Sequence, residues 1–401
     1  MNTRRLRIGI AGLGRAFSIM LPALASDKLE IVAGADPRPE ARERFTADFK
    51  APAYATVEEM CAAPAVEAVY ISTPHGFHRA NVEAAAAHRK HILVEKPMAL
   101  TLEDCQAMTA AARAAGVVLI VGHSHSFDLP IVKAREIIAS GAVGELKMIT
   151  SAYYTDFLYR PRRREELDTA QGGGVMYNQA PHQVDVARLL GGGRVKSVRA
   201  NVGIWDRARP TEGAYQALLT FQSGATASLT YSGYAHFDGD ELTGWVTEGG
   251  LPKDPARYGA TRKALGRAAN LEAEEQLKNR VNYGGEGYAG SPNASTGPER
   301  YHQHFGLVVA SCEKADLRPT PKGVHVYADI EHRFEALASP QIYRDEVVEE
   351  LYEAVVDGAP VVHGGAWATA TMEVCLAMLA SHAQGREMLL DHQVGLEGHP
   401  A

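Results

Sequence analysis

The sequence predicts an α/β protein in two parts: a doubly wound parallel sheet with helices on both faces, followed by an α+β domain with an open, mostly antiparallel sheet. The first part is predicted by short, continuous apolar strands that alternate with helical segments, and by a glycine turn directly after the first strand. The second part is predicted by a change of pattern, because longer strands rich in β-branched and aromatic residues then follow, several of them separated by glycine turns.

The alternation extends over residues 1–122, which we predict to form one domain. Continuous apolar runs of this kind are typical of strands buried on both faces, and the segments between them have the apolar spacing of helices. The predicted strands are 6–12, 29–36, 66–73, 91–95 and 117–122, and the predicted helices are 18–26, 39–49, 78–89 and 101–116. This pattern indicates a Rossmann domain, in which ligands bind at the carboxyl edge of the sheet.

Residues 123–401 form the predicted second domain. Its strands are expected at 146–157, 195–205, 214–222 and 225–236, and its first helices at 129–141 and 181–190. Residues 238–300 are rich in glycine, proline and charge, which indicates an insertion with one helix near 271–280. Two final helices, at 345–358 and 367–385, carry apolar residues at helical spacing and are expected to pack back onto the core.

The composition excludes several kinds of partner. The 401 residues carry a net charge of −7, whereas binding to nucleic acid needs a positive surface. No segment approaches the roughly 20 apolar residues of a membrane helix. The cysteines lie far apart without a C-x-x-C pair, which is typical of neither a disulfide framework nor a zinc site and indicates a reduced, cytoplasmic setting: Cys61, Cys105, Cys312 and Cys375. A small molecule is the expected partner.

A glycine turn, Gly12-Leu13-Gly14, follows the first strand and opens the first helix. In dinucleotide sites one glycine permits the tight turn, the next lets the backbone approach the pyrophosphate, and the start of the helix receives the negative charge. The third glycine of G-x-G-x-x-G is absent, because position 17 is Phe17. We predict that a dinucleotide is bound here by Gly12, Leu13, Gly14, Arg15 and Ala16.

An acid, Asp36, ends the second predicted strand, 22 residues after Gly14 and close to the roughly 20 expected for the residue that binds the adenosine ribose. A carboxylate at this place repels the 2′-phosphate of NADP, so NAD is the predicted cofactor. Arg38 lies two residues further on and would relieve that repulsion, which leaves NADP open.

Lys96 lies in the sequence Glu95-Lys96-Pro97, at the end of the fourth predicted strand and therefore at the carboxyl edge of the sheet. A nearby positive charge or a dry cleft lowers the pKa of an ammonium group, which then exchanges a proton with a substrate alcohol more readily. For this residue taken alone, an exposed lysine at the end of a strand is the plainer interpretation.

Histidines are further candidates for a chemical role. His182 begins a predicted helix, with Asp185 three residues on, and taken alone it is equally a helix-terminal histidine. His123 and His125 leave the fifth strand on one side, where they would line a substrate cleft or serve as ordinary loop residues. Neither this pair nor the other closely spaced histidine pair has a third ligand at recognisable spacing, so no metal is expected.

In combination these motifs resemble the Gfo/Idh/MocA oxidoreductases. The matching residues, in order and spacing over nearly the whole chain, are Thr73-Pro74 with His78, Glu95-Lys96-Pro97, and the glycines 172–174 with His182 and Asp185. The resemblance implies a Rossmann domain, a C-terminal α/β domain with an open antiparallel sheet, catalysis at Lys96 and a substrate contact at His182. It also implies a sugar, inositol or diol substrate, no metal, a homodimer or homotetramer, and cofactor contacts at Thr73, Pro74, His75, His78, Glu95 and Lys96.

Two positions depart from the family's pattern. The family usually has an acid four residues before the histidine, where this chain has Asn178. An asparagine cannot accept a proton in catalysis but can hold a substrate hydroxyl. The family also tends to have asparagine after Thr-Pro, where this chain has His75. Both departures indicate a substrate other than an ordinary sugar.

Within the family, the resemblance is strongest to members that oxidise cis-dihydrodiols of phthalate-like aromatic acids, and the matching segments are 154–169, 172–185 and 230–238. That resemblance implies that NAD takes a hydride from one carbinol carbon, that Lys96 or His182 accepts the hydroxyl proton, and that the product tautomerises to a catechol. A sugar or inositol dehydrogenase and a non-catalytic NAD-sensing regulator are the alternatives. Asn178 favours the regulator, and an intact Lys96 with His182 opposes it.

A run of arginines precedes two glutamates in the segment 160–166, and a solvated charged turn is its plain interpretation. Planar guanidinium groups also pair with carboxylates, and the family resemblance implies that this segment lies near the active site. The run is therefore an equally good candidate for binding a dicarboxylate substrate. The predicted substrate contacts are His123, His125, Arg160, Arg162, Arg163, Arg164, Asn178 and His182.

Overall fold

The computed structural model describes residues 4–286, 288 and 299–396; residues 287 and 289–298 of the predicted insertion, and the two chain ends, lie outside the described residues. The strands are β1 Leu6–Ala11, β2 Leu29–Ala35, β3 Ala53–Tyr54, β4 Ala68–Ile71, β5 His91–Val94, β6 Leu119–Val121, β7 Leu146–Tyr154, β8 Val195–Gly203, β9 Ala214–Phe221, β10 Thr226–Ser232, β11 Leu307–Cys312, β12 Ala315–Thr320, β13 Gly323–Ala328, β14 His332–Ala336 and β15 Met388–Leu389. The helices are α1 Arg15–Leu24, α2 Pro39–Phe49, α3 Val57–Cys61, α4 His78–Ala87, α5 Leu102–Ala115, α6 Leu129–Ala139, α7 Gly174–Asn178, α8 Ala180–Gly191, α9 Ala260–Leu265, α10 Leu271–Asn279, α11 Asp345–Tyr352 and α12 Gly365–Gln384.

The first six strands form a parallel sheet in the order β3-β2-β1-β4-β5-β6. The central strand β4 is buried at every residue, as expected for a strand covered by helices on both faces. The strand order changes direction between β1 and β4, and the carboxyl ends of these strands flank the crevice where such sheets bind ligands. The predicted Rossmann arrangement is confirmed.

The other nine strands form a second sheet in the order β14-β13-β12-β11-β7-β10-β9-β8-β15. Its neighbours pair antiparallel except for β7 and β10, which run parallel. Helix α8 packs on one face of this sheet, where the side-chain amide of Gln183 donates to the Ser151 hydroxyl at 2.8 Å and to the Thr230 carbonyl at 3.2 Å. The predicted open, mostly antiparallel sheet is confirmed.

Several element boundaries differ from the predicted ones. Helix α1 begins at Arg15, three residues before the predicted start, because Gly14 caps it and the usual polar capping signal is absent. The predicted helix at 345–358 is α11 followed by a π-helical turn over Glu353–Asp357. The helix predicted within the insertion is α10.

The chain divides into two compact units that are discontinuous in sequence. The first unit consists of residues 1–123, 276–296 and 342–369, and the second of residues 124–275, 297–341 and 370–401. Two segments beyond the predicted boundary at 122/123 therefore pack with the first unit. One of them covers the outer strand β6, since the Val121 amide donates to the His363 carbonyl at 2.9 Å. Among the helices described, none combines the length and the apolar character that crossing a membrane would require.

Candidate active site

The glycine turn after β1 has the shape that a bound pyrophosphate needs. Gly12 has a φ of +90°, and a Cβ atom there would lie 2.9 Å from the backbone of Ser72, so only glycine fits. Gly14 caps α1 without a side-chain hydrogen bond, and a Cβ atom on it would meet nothing within 4 Å. The first turn of α1, at Arg15 and Ala16, thus offers uncapped amides beside open space, which fits the diphosphate of a dinucleotide.

Asp36, the predicted ribose acid, is buried directly after β2 and is tied to the glycine turn. Its Oδ2 accepts the Leu13 amide at 2.9 Å, and its Oδ1 accepts both the Arg38 amide at 3.0 Å and the Arg38 Nε at 2.9 Å. Burial opposes ionisation, but the Arg38 hydrogen bonds outweigh it and lower the pKa of Asp36. The acid therefore stays charged, with a half-exposed guanidinium directly beside it.

Phe17, at the place of the missing third glycine, is fully buried in an aromatic group of the first unit. Its ring centre lies 6.3 Å from that of Phe45 and 6.0 Å from that of Phe49, both on α2. Tyr283 meets it edge-on at 5.0 Å. The residue that departs from the glycine pattern thus serves as a packing site for Tyr283, which lies in the predicted insertion.

His78 connects the turn at 73–75 to the segment that follows β5. Its buried ring has Nε2 at 2.9 Å from the Thr73 carbonyl oxygen and Nδ1 at 3.1 Å and 3.2 Å from those of Pro97 and Met98. Burial lowers the pKa of His78, which favours the neutral ring. A neutral imidazole has one N–H group, which donates either to the Thr73 carbonyl or to the carbonyls of Pro97 and Met98. The ring of His75 lies edge-on to it at 5.6 Å. His78 therefore braces two segments that contain predicted cofactor contacts.

Lys96 lies half-buried directly after β5, at the carboxyl edge of the parallel sheet. The preceding Glu95 is buried and accepts a hydrogen bond from the Tyr70 hydroxyl at 2.6 Å. Burial, reinforced by the Glu95 carboxylate, holds the pKa of Tyr70 well above its usual value, so Tyr70 remains a hydrogen-bond donor. This bond fixes the strand end that carries Lys96.

In the second unit, two of the predicted histidines gather around one phenylalanine. The ring centre of His182 lies 4.8 Å from that of His125 and 5.2 Å from that of Phe305, and His125 lies 5.1 Å from Phe305. Tyr153 meets Phe305 edge-on at 5.1 Å, and Tyr231 stacks on it at 5.9 Å. All five rings are buried. We call this group the aromatic cluster; it combines three packed apolar rings with two imidazoles.

Charged groups meet the aromatic cluster at His125. Its Nδ1 lies 2.7 Å from Oδ2 of the buried Asp128, and its Nε2 lies 3.7 Å from Oε1 of Glu248. Burial pulls the pKa of His125 down, but Asp128 and Glu248 outweigh it, and the pKa is raised. Glu248 also lies 3.9 Å from Nη1 of Arg160, so one carboxylate lies between an imidazole and a guanidinium.

Asn178 and Asp185 make hydrogen bonds on either side of the start of α8. The Asn178 amide donates to two carbonyls of the triple-glycine turn at 172–174, at 3.0 Å and 2.8 Å. Asp185 accepts the Thr371 hydroxyl at 2.7 Å and the Ser126 hydroxyl. Both side chains therefore have hydrogen bonds that fix the second unit around the predicted histidine.

Arg160 and Arg162 have different surroundings. Arg160 is half-exposed beside Glu248, whereas Arg162 is buried with its guanidinium 3.6 Å over the Phe157 ring. Burial lowers the pKa of Arg162 to about 10. The Arg162 amide donates to Glu274 at 2.6 Å, and Glu274 is held by both terminal nitrogens of Arg209 at 2.6 Å and 3.0 Å.

Arg163, Arg164 and His123 are the remaining predicted substrate contacts. Arg163 is half-buried, and its amide donates to Glu166 at 2.8 Å. Arg164 is exposed and lines a cleft of about 680 Å³ in the second unit. His123 is buried and is the last residue of the first of the three segments that form the first unit. Of the predicted substrate contacts in the second unit, the structure thus brings His125, His182 and Arg160 together.

Three residues of this arrangement are not predicted from the sequence. Asp128 lies three residues after His125 and precedes α6, where an aspartate is the ordinary capping residue; its spacing from the histidine is the one signal that could have identified it. Glu248 comes from the predicted insertion and Phe305 from beyond it, and neither lies in a motif.

Family models match both parts of the chain. Residues 6–123 match a model described as an oxidoreductase family with an NAD-binding Rossmann fold, and residues 131–251 match the GFO/IDH/MocA C-terminal domain. A relative from Comamonas testosteroni, 1-carboxy-3-chloro-3,4-dihydroxycyclohexa-1,5-diene dehydrogenase, is 49% identical over 377 residues, which cover 93% of this chain and 94% of the relative.

Solved structures agree with these matches. A dehydrogenase from Bordetella bronchiseptica has a TM-score of 0.90 at 41% identity, covering 96% of this chain and 100% of that chain. The WlbA dehydrogenase from Bordetella pertussis, solved with NADH and UDP-GlcNAcA, has a TM-score of 0.68 at 21% identity, covering 97% of this chain and 99% of that chain, and shows the same fold. With a glycine turn that fits NAD, this chain belongs to the Gfo/Idh/MocA family of NAD-binding oxidoreductases.

Proposed function

We propose that this chain oxidises a cis-dihydrodiol of a phthalate-like aromatic acid to the corresponding catechol. The observation that carries the proposal is the aromatic cluster, in which Phe305 lies against His125 and His182, with Arg160 reached through Glu248. A planar ring with adjacent hydroxyls and a carboxylate matches an apolar surface, imidazoles and a guanidinium. The 49% identity to an enzyme named for a carboxylated dihydroxycyclohexadiene supports this substrate class.

The proposed oxidation removes a hydride from one carbinol carbon and the proton from its hydroxyl. NAD, when bound, supplies the hydride acceptor. Lys96 or His182 accepts the proton, since both an amine and an imidazole transfer protons near neutral pH when suitably positioned. The resulting hydroxy-dienone tautomerises to a catechol, and the gain of aromatic stabilisation makes the reaction strongly downhill.

The predicted substrate contacts have separate parts in this proposal. Arg160 pairs with a ring carboxylate, and His125, held by Asp128 at 2.7 Å, contacts the substrate from the aromatic cluster. His123, Arg162, Arg163, Arg164 and Asn178 remain predicted contacts.

A substrate panel tests the proposed function. The purified chain with NAD is given a carboxylated cis-dihydrodiol, the same diol without a carboxylate, an inositol and a sugar, and the absorbance of reduced nicotinamide is followed. We expect kcat/KM for the carboxylated diol to exceed the others by about tenfold or more, the equivalent of one charge-assisted contact. Preference for the inositol or sugar would replace the proposal by the sugar-dehydrogenase alternative, and no turnover of any compound would favour the regulator.

Replacing Asp36 with alanine is expected to weaken NAD binding by about ten- to hundredfold and to improve NADP relative to NAD. The substitution removes an acceptor for the ribose and frees the Arg38 guanidinium, now 2.9 Å from Asp36, to meet a 2′-phosphate. Dissociation constants for both dinucleotides check this, with Glu43→Ala, an exposed acid on α2, as control. A preference of the unaltered chain for NADP by about tenfold or more would show that this role of Asp36 is wrong.

We also propose a reducing, cytoplasmic setting and a homodimer or homotetramer. None of the four cysteines, all within the described residues, forms a disulfide, and three of them are buried. Burial raises the pKa of Cys61 and of Cys105 to about 12, which keeps both as unreactive thiols. These observations support a compartment in which no disulfide is needed.

A further inference from the structure

The end of the predicted insertion returns to the nucleotide-binding unit. Residues 276–296 belong to the first unit, and within them we call residues 281–283 the strap. The carbonyl of Val281 accepts a hydrogen bond from Nη1 of Arg15 at 3.0 Å. Arg15 is the first residue of α1 and directly follows the glycine turn. The strap therefore holds a cationic side chain that begins at the pyrophosphate-binding turn.

Tyr283 anchors the strap on α1 and α2. Its buried ring meets Phe17 edge-on at 5.0 Å and lies 6.4 Å from Phe49. Its hydroxyl donates to Oδ2 of Asp48 at 2.7 Å, and the same oxygen accepts Nε of Arg44 at 2.8 Å. Ring packing and a charge-assisted hydrogen bond together fix Tyr283. Tyr283 lies two residues after Val281, whose carbonyl accepts the hydrogen bond from Arg15.

The charge on Arg15 is not neutralised by the strap. A carbonyl oxygen satisfies an N–H group but carries no net charge, and among the described residues no carboxylate lies within 4.0 Å of the Arg15 guanidinium. Burial and the nearby cation Arg344 both lower the pKa of Arg15, while Tyr343 raises it. The Arg15 side chain is exposed, and a guanidinium with a second cation near it is a favourable place for an anion.

We propose that the strap presents Arg15 to the pyrophosphate of NAD, and that Tyr283 is a positioning residue for cofactor binding. The insertion then has a function in the cofactor site, and Phe17 replaces the third glycine because its ring receives Tyr283. The proposal depends on NAD binding and is independent of the substrate, so it can fail without affecting the proposed reaction.

Binding measurements with cofactor fragments test the strap. Calorimetry gives dissociation constants for NAD, ADP-ribose and adenosine with the unaltered chain and with Arg15→Ala, Tyr283→Ala and the double variant. Arg15→Ala is expected to weaken NAD and ADP-ribose by about ten- to hundredfold, the loss of one charge-assisted contact, and to leave adenosine, which has no phosphate, within about twofold. Tyr283→Ala is expected to weaken the binding of NAD and ADP-ribose by at least about fivefold and to leave the affinity for adenosine within about twofold.

The double variant separates positioning from general damage. If Tyr283 acts through Arg15, the double variant binds NAD no more weakly than Arg15→Ala. Tyr283→Phe, which keeps the ring and loses the Asp48 hydrogen bond, folds even where alanine does not, and a loss for NAD of about two- to tenfold is expected. Tyr258→Ala, an exposed tyrosine of the insertion, is the matched control and is expected to bind as the unaltered chain does.

Three results would overturn the proposal. One is additive losses of NAD affinity in the double variant. Another is an equal loss of adenosine and NAD affinity in the Tyr283 variants. The third is unchanged NAD affinity in Arg15→Ala.

Discussion

Replacing Lys96 with alanine is expected to lower kcat by about 10²–10⁴-fold, the usual contribution of a positioned acid or base. Lys96 follows β5 at the carboxyl edge of the sheet, and the Glu95–Tyr70 hydrogen bond of 2.6 Å fixes the backbone there without it. The glycine turn and Asp36 are the proposed main contacts of the dinucleotide, so NAD affinity is expected to be largely kept. Turnover is measured from reduced nicotinamide and NAD affinity by calorimetry.

Lys96→Arg is the matched control for charge. Arginine keeps a cation at this position but cannot release its proton near neutral pH, so this variant is expected to be about as slow as Lys96→Ala. An added primary amine is expected to restore part of the activity of Lys96→Ala but none of the activity of Lys96→Arg. Near-normal turnover of Lys96→Ala would contradict this role and assign the proton to His182.

Replacing Arg160 with alanine is expected to raise KM for a carboxylated dihydrodiol by about ten- to hundredfold. A carboxylate that loses its hydration on binding must be paired, and a charge-assisted hydrogen bond contributes about 1.5–3 kcal/mol. Arg160 shares Glu248 with His125, and this carboxylate connects it to the aromatic cluster. KM for a diol without carboxylates is expected to be high in the unaltered chain and no higher in the variant.

Alanine variants of Arg162, Arg163 and Arg164 test the wider prediction for this run. Arg162→Ala also loses the contact of 3.6 Å with the Phe157 ring, so its melting temperature is measured beside KM. Arg207→Ala, at an exposed arginine of the same unit, is the control and is expected to leave KM unchanged. If KM stays within about twofold of the unaltered chain in these three variants and in Arg160→Ala, the run is a solvated turn and the diacid substrate loses its main local support.

The parallel sheet can be predicted from the sequence because each buried strand is a continuous apolar run followed by a helix. The strands β11–β14 are much harder to predict. Pro319 lies inside β12, which is an interior strand of the sheet, and proline usually argues against such a strand. Asp316 and Arg318 alternate with the buried residues of β12, so the strand has no continuous apolar run. β3 has two residues and α3 five, too few to show a period.

The candidate site also contains residues that can be predicted from the sequence and residues that cannot. Residues in motifs, such as Lys96 and His78, are found from spacing alone, whereas the neighbours that define their chemistry come from distant segments. Phe305 lies more than a hundred residues after His182 in sequence yet 5.2 Å from it between ring centres, and one sequence contains no signal for such a contact. The placement of Arg162 over Phe157 likewise depends on the fold of the segment, which the run of charges does not reveal.

The most direct test of the proposed function is the stoichiometry of products from a carboxylated cis-dihydrodiol. The purified chain is incubated with NAD and the diol; reduced nicotinamide is counted by absorbance, and the aromatic product is identified and counted by chromatography. Equal amounts of NADH and of a catechol that retains its carboxylate are predicted, with both products lost together in Lys96→Ala. NADH without a catechol, or a catechol formed without NADH, would contradict the proposed oxidation.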